Sequence, residues 1–258
     1  MEKQKLILTF DLEFWYNSKF LKKYLPQNKN QLENCVEKPT ELLLDLLKKY
    51  NQRATFFVLG EVAEKYPELI KKISNLGHEI ASHGYSHIPL YELAEKSLDT
   101  EIKLSKNILQ NITNKEPRGF RAPNFSLNKK TKWALEILKK YNFQYDSSAH
   151  PLKFFKPSNK IPEIYPSLGG IYFKILPLWL FIVLVKILSK TKIPVLYFHP
   201  YELFKSSPQL KFAPWLKRKI KYWGTKNAWK KFEKLMEKFD FISIEEYLYE
   251  NSSNKSSI

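Results

Sequence analysis

Cysteine and glycine-rich motifs are almost missing from the sequence, and their scarcity excludes several classes of protein. Cys35 is the only cysteine among 258 residues, so no intrachain disulfide can form and nothing indicates an oxidising compartment. We expect Cys35 to be a small core residue. No GxGxxG or Walker pattern follows any strand-like run, which argues against the nucleotide-binding α/β folds.

Long hydrophobic runs are missing as well. The first apolar run, residues 6–10, is too short for a signal-peptide core and leads directly into acidic residues, so it predicts a strand. No stretch reaches the roughly 18 apolar residues of a membrane span. The nearest, residues 175–188, is interrupted by Lys186 and predicts either a buried barrel helix or an interfacial wedge. We therefore expect a cytoplasmic protein without a signal peptide or a transmembrane span.

Acidic residues are few relative to basic ones, since 26 Asp and Glu stand against 43 Lys and Arg, a net charge of +17. This excess is compatible with nucleic acid, an anionic membrane surface or an acidic polymer as partner, and also with a solvated lysine-rich surface. With 43% hydrophobic and 27% charged residues, the chain is typical of a globular protein. We expect a single domain over residues 1–250 and a disordered tail over residues 251–258.

Strand-like and helix-like segments alternate along almost the whole chain. The helical periodicity is clearest near the C-terminus, where apolar residues recur at spacings of three and four. These residues are Trp229, Phe232, Leu235, Met236 and Phe239. Repeated βα units build a parallel sheet or a barrel. Because the nucleotide-binding motifs are missing, we favour an α/β barrel, in which the chemistry lies at the carboxyl ends of the strands.

Reactive side chains follow the predicted strands at those ends. They are Asp11, Glu13, His83, Arg121, Asp146 and His199. By contrast, His78 precedes its strand and should lie at the opposite end, so we assign it no role. His83 and His87 stand four residues apart, a spacing that on one helical turn places both imidazoles on one face, as a metal site requires. Turn chemistry is the alternative, because glycine and proline punctuate this stretch.

Five motifs resemble, in their order and spacing, those of polysaccharide deacetylases with a NodB homology domain, carbohydrate esterase family 4. They are TFDLE (9–13), SHGYSH (82–87), GFRAPNFS (119–126), YDSS (145–148) and LYFHPYE (196–202). Residues 169–177 and 222–248 look like the branch of this family found with exopolysaccharide loci. The resemblance implies a distorted (β/α)7 barrel in a single domain. It also implies removal of N- or O-linked acetyl groups from sugar polymers with a divalent metal, zinc or alternatively cobalt or nickel.

The resemblance implies a metal site on His83, His87 and one carboxylate. The commonest pattern of the family has two adjacent aspartates after the first strand, but here Leu12 occupies the second place and the next acid is Glu13. Because side chains alternate along a strand, Asp11 and Glu13 share one face. Asp11 can then serve as the general base while Glu13 binds the metal. In the alternative, Asp11 is the ligand and no acid remains as the base.

The resemblance also implies the remaining proton-transfer and positioning groups. His199 would be the general acid, with its pKa tuned by Asp146. Arg121 would hold Asp11 ionised by charge pairing. A backbone N–H from the loop after Arg121 would stabilise the oxyanion of the tetrahedral intermediate.

Aromatic and polar residues beside the motifs complete the expected site. Trp15, Tyr85 and Phe125 would form a wall on which the sugar stacks. Tyr201 and Glu202 would support the loop after the last motif strand and would not react.

Three interpretations of the function follow. The first is a hydrolase that removes an N-acetyl or other small acyl group from an acetylated glycan, a cell-surface polysaccharide or its precursor. The second is a deacetylase or deformylase of a lipid-linked sugar, peripheral on an anionic cytoplasmic membrane face, which residues 175–188 and the neighbouring basic clusters favour. The third is a non-catalytic basic module for nucleic acid or anionic surfaces, suggested by residues 211–224. No nucleic-acid motif accompanies these residues, so nucleic acid is disfavoured.

Overall fold

A parallel β-sheet forms the centre of the molecule. The computed structural model describes residues 3–17, 24–25, 36–149, 161–204 and 214–255, and Cys35 lies outside these ranges. The strands are β1 (Gln4–Leu12), β2 (Thr55–Val58), β3 (Glu79–Ser82), β4 (Gly119–Phe120), β5 (Tyr145–Asp146), β6 (Leu168–Gly169), β7 (Val195–Phe198) and β8 (Phe239–Ile242). All residues from 6 to 12 of β1 are buried, as expected for a strand covered on both faces.

The strand order determines which loops meet at the carboxyl ends. It is β5-β4-β3-β2-β1-β7-β6, with β8 paired to the first half of β1, and every pair is parallel. Beyond β5, a parallel bridge joins Asp146 to Glu163. The chain that leads into β6 therefore begins beside the opposite edge, and the sheet curls into an incomplete barrel. The predicted distorted (β/α)7 barrel is confirmed.

Helices connect the strands and cover the sheet. They are α1 (Glu37–Lys49), α2 (Gly60–Lys65), α3 (Pro67–Asn75), α4 (Glu95–Thr113), α5 (Ala134–Lys140), α6 (Gly170–Ile175), α7 (Leu178–Leu188), α8 (Trp215–Tyr222), α9 (Thr225–Lys238) and α10 (Ile244–Lys255). α3 begins at Pro67 because proline suits the first turn of a helix. In α9, Phe232, Leu235 and Met236 are buried as the sequence spacing predicts, whereas Phe239 already begins β8.

Aromatic rings fix β1 to its neighbours. The ring centroid of Phe10 lies 5.1 Å from that of Phe56, 6.3 Å from Phe198 and 6.0 Å from Phe232. Each of these fully buried side chains contributes about 1.5–3 kcal/mol through loss of apolar surface from water. β1 is therefore a rigid platform, and the residues that follow it are positioned by the core.

The last helix extends into the segment that the sequence predicts to be a disordered tail. α10 continues through Lys255 and so covers the first five residues of the segment 251–258 that the sequence predicts to be a disordered tail. The hydroxyls of Ser252 and Ser253 donate to backbone carbonyl oxygens one turn earlier, at Leu248 and Tyr249, which lets polar residues extend the helix. Residues 256–258 lie outside the described segments.

Candidate active site

Three metal-ligating side chains converge at the carboxyl ends of β1 and β3. Glu13, His83 and His87 each offer one ligand atom, and these atoms all lie within 4.8 Å of one another. Nε2 of His87 is in direct contact with Oε2 of Glu13, and less than a tenth of each side chain is exposed. No other group of this kind is found in the described part of the chain. Two imidazoles and one carboxylate form a donor set that suits zinc and similar divalent ions.

His83 is oriented by the backbone on two sides. It continues β3 by one residue, since its N–H donates to the carbonyl oxygen of Val58 at 3.0 Å. Its Nδ1 lies 2.7 Å from the carbonyl oxygen of Arg121. A carbonyl oxygen only accepts, so Nδ1 carries the hydrogen and the lone pair of Nε2 faces the site. Burial lowers the pKa of His83 from 6.5 to about 4, which keeps the imidazole neutral, as a ligand must be.

His87 reaches the same point through a loop and not through a helical turn. Gly84 and His87 have left-handed φ values of +82° and +58°, and residues 83–88 form no helix. The two imidazole centroids are nevertheless 5.4 Å apart. The helical interpretation of the four-residue spacing is therefore wrong, although the pair converges, because a tight loop folds His87 back over the end of β3.

Glu101 of α4 holds this loop, and the sequence reasoning missed it. Its Oε2 accepts the backbone N–H groups of Tyr85 and Ser86 at 3.0 and 2.9 Å, and its Oε1 accepts the Ser86 hydroxyl at 2.6 Å. These charge-assisted hydrogen bonds fix the turn that carries His87. No local signal distinguishes Glu101 from the other acids of its helix, because only the packing of α4 brings it to the loop.

Asp11 lies beside this triad and is held by Arg121. Nη1 of Arg121 donates to Oδ1 of Asp11 at 2.6 Å and to Thr9 Oγ1 at 3.0 Å. Its other donors reach the carbonyl oxygen and hydroxyl of Ser147 at 3.2 and 2.9 Å, and its guanidinium lies 3.9 Å from the ring centroid of Phe57. Arg121 is fully buried, and this set of partners stabilises both its own charge and that of Asp11.

Glu13 is ionised at neutral pH although it is buried. Burial alone would raise its pKa, but the imidazoles of His87 and His199 outweigh this effect and lower the pKa from 4.5 to about 2. The hydroxyl of Tyr201 donates to Oε1 of Glu13 at 3.1 Å. Glu13 therefore contacts His87 and His199, whereas Arg121 holds Asp11 to one side.

His199 is paired with Glu202 and not with Asp146 as predicted. Its Nδ1 lies 3.1 Å from Oε2 of Glu202, and its Nε2 lies 3.3 Å from Oε1 of Glu13. Nζ of Lys174 in turn lies 2.8 Å from Oε1 of Glu202. Burial would lower the pKa of His199, but Glu13 and Glu202 outweigh it and raise the pKa from 6.5 to about 9. The pairing is local, because Glu202 lies in a single 3-10 turn, Pro200–Leu203, directly after His199.

Asp146 has a different role in the structure. It ends β5, at the far edge of the sheet from β7, and it accepts a hydrogen bond from the Ser148 hydroxyl. That hydroxyl oxygen accepts the N–H of Ala122 at 2.7 Å, next to Arg121. Burial raises the pKa of Asp146, and burial together with Asp146 raises the pKa of Glu163 to about 11. Glu163 is therefore protonated at neutral pH, beside Asp146 and where the barrel approaches closure. No sequence pattern pointed to Glu163.

The expected aromatic wall is only partly present. Trp15 is 2% exposed and belongs to the core, so the prediction that it offers a ring face to a sugar is wrong. Tyr85 is half-buried, and its hydroxyl donates to Glu64 at 2.7 Å. Phe125 is also half-buried, and its centroid lies 4.9 Å from that of Tyr197 and 5.4 Å from the guanidinium carbon of Arg121. Phe125 and Tyr197 thus form an aromatic pair beside Arg121, the partner of Asp11, and Tyr197 was not predicted.

The chain is similar to known proteins in its sequence and in its fold. A family model described as polysaccharide deacetylase matches residues 1–145. The chain belongs to this family. A second model, a domain of unknown function (DUF3473), matches residues 138–249. The deacetylase match contains the triad, Asp11 and Arg121, whereas His199, Glu202 and Lys174 lie in the second match, so the site draws on both.

Individual relatives resemble parts of the chain or its fold. A peptidoglycan-N-acetylglucosamine deacetylase of Bacillus cereus is 41% identical over 98 residues, which are 38% of this chain and 36% of that protein. The match thus spans little more than a third of the relative's length. A crystal structure of a polysaccharide deacetylase from Mycobacterium smegmatis, described as putative, aligns over 98% of this chain and 92% of its own with a TM-score of 0.65 and 19% identity. A pseudoenzyme of carbohydrate esterase family 4 from Bacillus anthracis aligns over 95% of this chain and 65% of its own, with a TM-score of 0.53 and 17% identity. At such identities the structures share the fold alone, so activity must be inferred from the site itself.

Proposed function

We propose that the protein is a metal-dependent hydrolase that removes an N-acetyl or other small acyl group from a sugar of a cell-surface polysaccharide or its precursor. The observation that carries the proposal is the buried triad of Glu13, His83 and His87 beside the Asp11–Arg121 pair. A structural metal site would have no need of a separate, buried and paired carboxylate next to its ligands.

The triad fits a divalent ion because two of its three donors, His83 and Glu13, are already in the required protonation states. Burial keeps His83 neutral, and the neighbouring imidazoles keep Glu13 ionised. Three protein ligands are also the usual number in catalytic zinc sites. When bound there, such an ion would act as a Lewis acid that activates water and polarises the acyl carbonyl. We propose zinc, with cobalt and nickel as alternatives.

Asp11 is the proposed general base. Its Oδ1 is held by Arg121, which leaves Oδ2 to accept the proton of the attacking water. Because Arg121 is itself fixed by Thr9 and Ser147, the carboxylate cannot rotate away when it is protonated. Positioning of this kind is what makes a proton acceptor effective.

His199 is the proposed general acid. The carboxylates of Glu13 and Glu202 keep its ring protonated at neutral pH in the metal-free protein, and a protonated imidazole can donate to the leaving amine. Lys174 holds Glu202 from the other side at 2.8 Å. Glu202 and Lys174 are therefore positioning residues, which act on the reaction through His199.

The loop after Arg121 offers its first suitable oxyanion donor only at its third residue. The N–H of Ala122 donates to Ser148, and Pro123 has no N–H. The first candidate is then the backbone N–H of Asn124, whose φ is +57°. We propose that Asn124 presents this group to the acyl oxygen.

The direct test is release of acetate from N-acetylated oligosaccharides by protein loaded with zinc. We expect stoichiometric zinc by inductively coupled plasma mass spectrometry, together with turnover that a chelator removes and zinc restores. The control is the His83→Ala, His87→Ala double variant. Protein that binds no zinc, releases no acetate and instead binds DNA in a salt-sensitive manner would support the basic binding module and contradict the enzyme.

Glu202→Gln tests the pairing of His199. We expect kcat to fall about tenfold with unchanged zinc content, because the neutral amide no longer favours the imidazolium. The sign of the pH effect follows from the role of the residue. A general acid works only when it is protonated, and loss of Glu202 lowers the pKa of His199, so the basic limb of the kcat profile should move to lower pH.

Asp146→Asn is the matched control for this experiment, since the sequence alone suggested Asp146 as the partner of His199. We expect it to lower thermal stability and to leave the basic limb where it is. If Asp146→Asn moved the basic limb and Glu202→Gln did not, the assignment of Glu202 would be wrong.

A second candidate substrate is a lipid-linked sugar at the cytoplasmic membrane face, from which the protein would remove an acetyl or formyl group. The observation that favours it is an exposed apolar surface on α6 and α7. The chemistry at Asp11, His199 and the triad would be the same, and only the presentation of the sugar would differ.

A further inference from the structure

An exposed row of large apolar side chains runs along α6 and α7. On α7, Phe181 and Val185 are fully buried in the core, whereas Trp179 is 67% exposed and Ile187 54%. The exposed residues recur at every fourth position and are here called the apolar stripe: Ile171, Ile175, Trp179, Val183 and Ile187. The sequence predicted residues 175–188 as either a buried helix or an interfacial wedge. In the structure, one face of α7 is buried in the core and the other exposes apolar side chains.

A second group of exposed apolar residues adjoins the stripe at α8. Gly224, directly after α8, is packed so closely on α6 that a Cβ there would overlap the carbonyl oxygen of Lys174. Nζ of Lys219 lies 4.8 Å from the ring centroid of Trp215 and 5.7 Å from that of Trp223. The exposed residues at this place, here called the α8 patch, are Trp215, Leu216 and Trp223. Scattered apolar residues are normal on a surface, but a contiguous set marks an interaction site.

The part of the chain that carries both surfaces has almost no negative charge. Residues 164–232 contain thirteen Lys and Arg and a single acidic residue, Glu202, and Glu202 is occupied by His199 and Lys174. This stretch thus supplies twelve of the seventeen net positive charges of the protein. Lys186 and Lys190 are exposed near the end of α7. The charge complements an anionic partner, and the apolar stripe does not suit the phosphate backbone of a nucleic acid.

We propose that the apolar stripe and the α8 patch dock the protein on the surface of an anionic lipid bilayer. Interfacial segments combine an apolar wedge with basic flanks, and tryptophan is enriched at the level of the lipid headgroups. Each basic residue near an anionic leaflet strengthens binding roughly fivefold. No helix in the described segments is both long and apolar enough to cross a bilayer.

The docking surface is joined to the site by α6. Ile171 and Ile175 of this short helix belong to the apolar stripe, whereas Lys174 between them is buried and bonds Glu202 at 2.8 Å. Docking would therefore hold the site close to the headgroups. This deepens the proposed function, on which it rests, by naming a sugar attached to a membrane lipid as the substrate class.

The test measures sedimentation with vesicles of phosphatidylcholine alone and with 30% phosphatidylglycerol, at low and at high salt. We expect binding to the anionic vesicles that falls at least tenfold at high salt. Trp179→Ser combined with Val183→Ser should lower it at least tenfold at low salt. The matched control replaces exposed leucines on α1 and α4, Leu42→Ser with Leu104→Ser, and should bind like the wild type.

Acetate release separates this proposal from the proposed function. We expect the wild type to deacetylate a vesicle-anchored N-acetylated oligosaccharide at least tenfold faster than the soluble form, and the Trp179→Ser, Val183→Ser variant to lose only this advantage. Vesicle binding without release of acetate from either substrate would overturn the proposed function and support docking. Negligible sedimentation in all four conditions would overturn docking and would assign the apolar stripe to the protein core. A dimer that the Trp179→Ser, Val183→Ser variant dissociates would also overturn docking and would assign the stripe to a protein interface.

Discussion

Replacing both His83 and His87 by alanine should abolish zinc binding and deacetylation together while the fold persists. The double variant removes two of the three donor atoms and leaves Glu13 as the one remaining member of the triad. Loss of an outer-shell partner already costs metal sites about 10–100-fold in affinity, so loss of two ligands should reduce zinc to background levels. Plasma mass spectrometry, acetate release and far-ultraviolet circular dichroism on the same preparation measure the three properties.

His78→Ala is the matched control for this experiment. His78 is another buried histidine, at 5% exposure, but it precedes β3 and so lies at the opposite end of the sheet. Its replacement should lower stability by about 1–3 kcal/mol, as is usual for a buried side chain, with zinc content and turnover retained. A double variant at positions 83 and 87 that kept full zinc occupancy and turnover would exclude the triad as the metal site.

Asp11→Asn should lower kcat by about 10²–10⁴, the usual contribution of a positioned proton-transfer group, with little change in zinc content. The amide keeps the shape of the carboxylate but cannot accept a proton. It also leaves the buried guanidinium of Arg121 without its anionic partner, and breaking a buried pair costs about 3–5 kcal/mol. The residual hydrogen bonds to Thr9 and Ser147 should keep the variant folded. Its rate must therefore be measured well below its unfolding temperature.

Glu13→Gln is the informative comparison, because Asp11 in β1 and Glu13 directly after its last residue both border the site and could exchange roles. We expect Glu13→Gln to lose zinc and turnover together, whereas Asp11→Asn loses turnover alone. If Asp11→Asn emptied the metal site and Glu13→Gln did not, Asp11 would be the ligand, and the base would have to be sought elsewhere.

The sequence by itself determined the architecture and most of the residues that meet at the site. βα alternation without nucleotide motifs predicted the barrel, because each unit can bury its apolar face only against its neighbours. The carboxyl ends of parallel strands share one edge, so the positions of Asp11, His83 and Arg121 at strand ends were enough to predict that they lie together. The period of two along a strand likewise predicted that Asp11 and Glu13 share one face, although β1 ends at Leu12 and Glu13 lies just beyond it.

The tertiary structure alone decided the partners of these residues and the exposure of the aromatic ones. Asp146 ends β5 and His199 directly follows β7, but these strands lie on opposite sides of β1. Strand order is a non-local property that no local pattern encodes. The carboxylate partner of His199 is therefore Glu202, and not Asp146 as the motif pattern predicted. Trp15 and Trp179 illustrate the exposure of aromatic residues, since they are 2% and 67% exposed. A tryptophan suits a core and a surface equally well in sequence, and only the packing of its element decides between them.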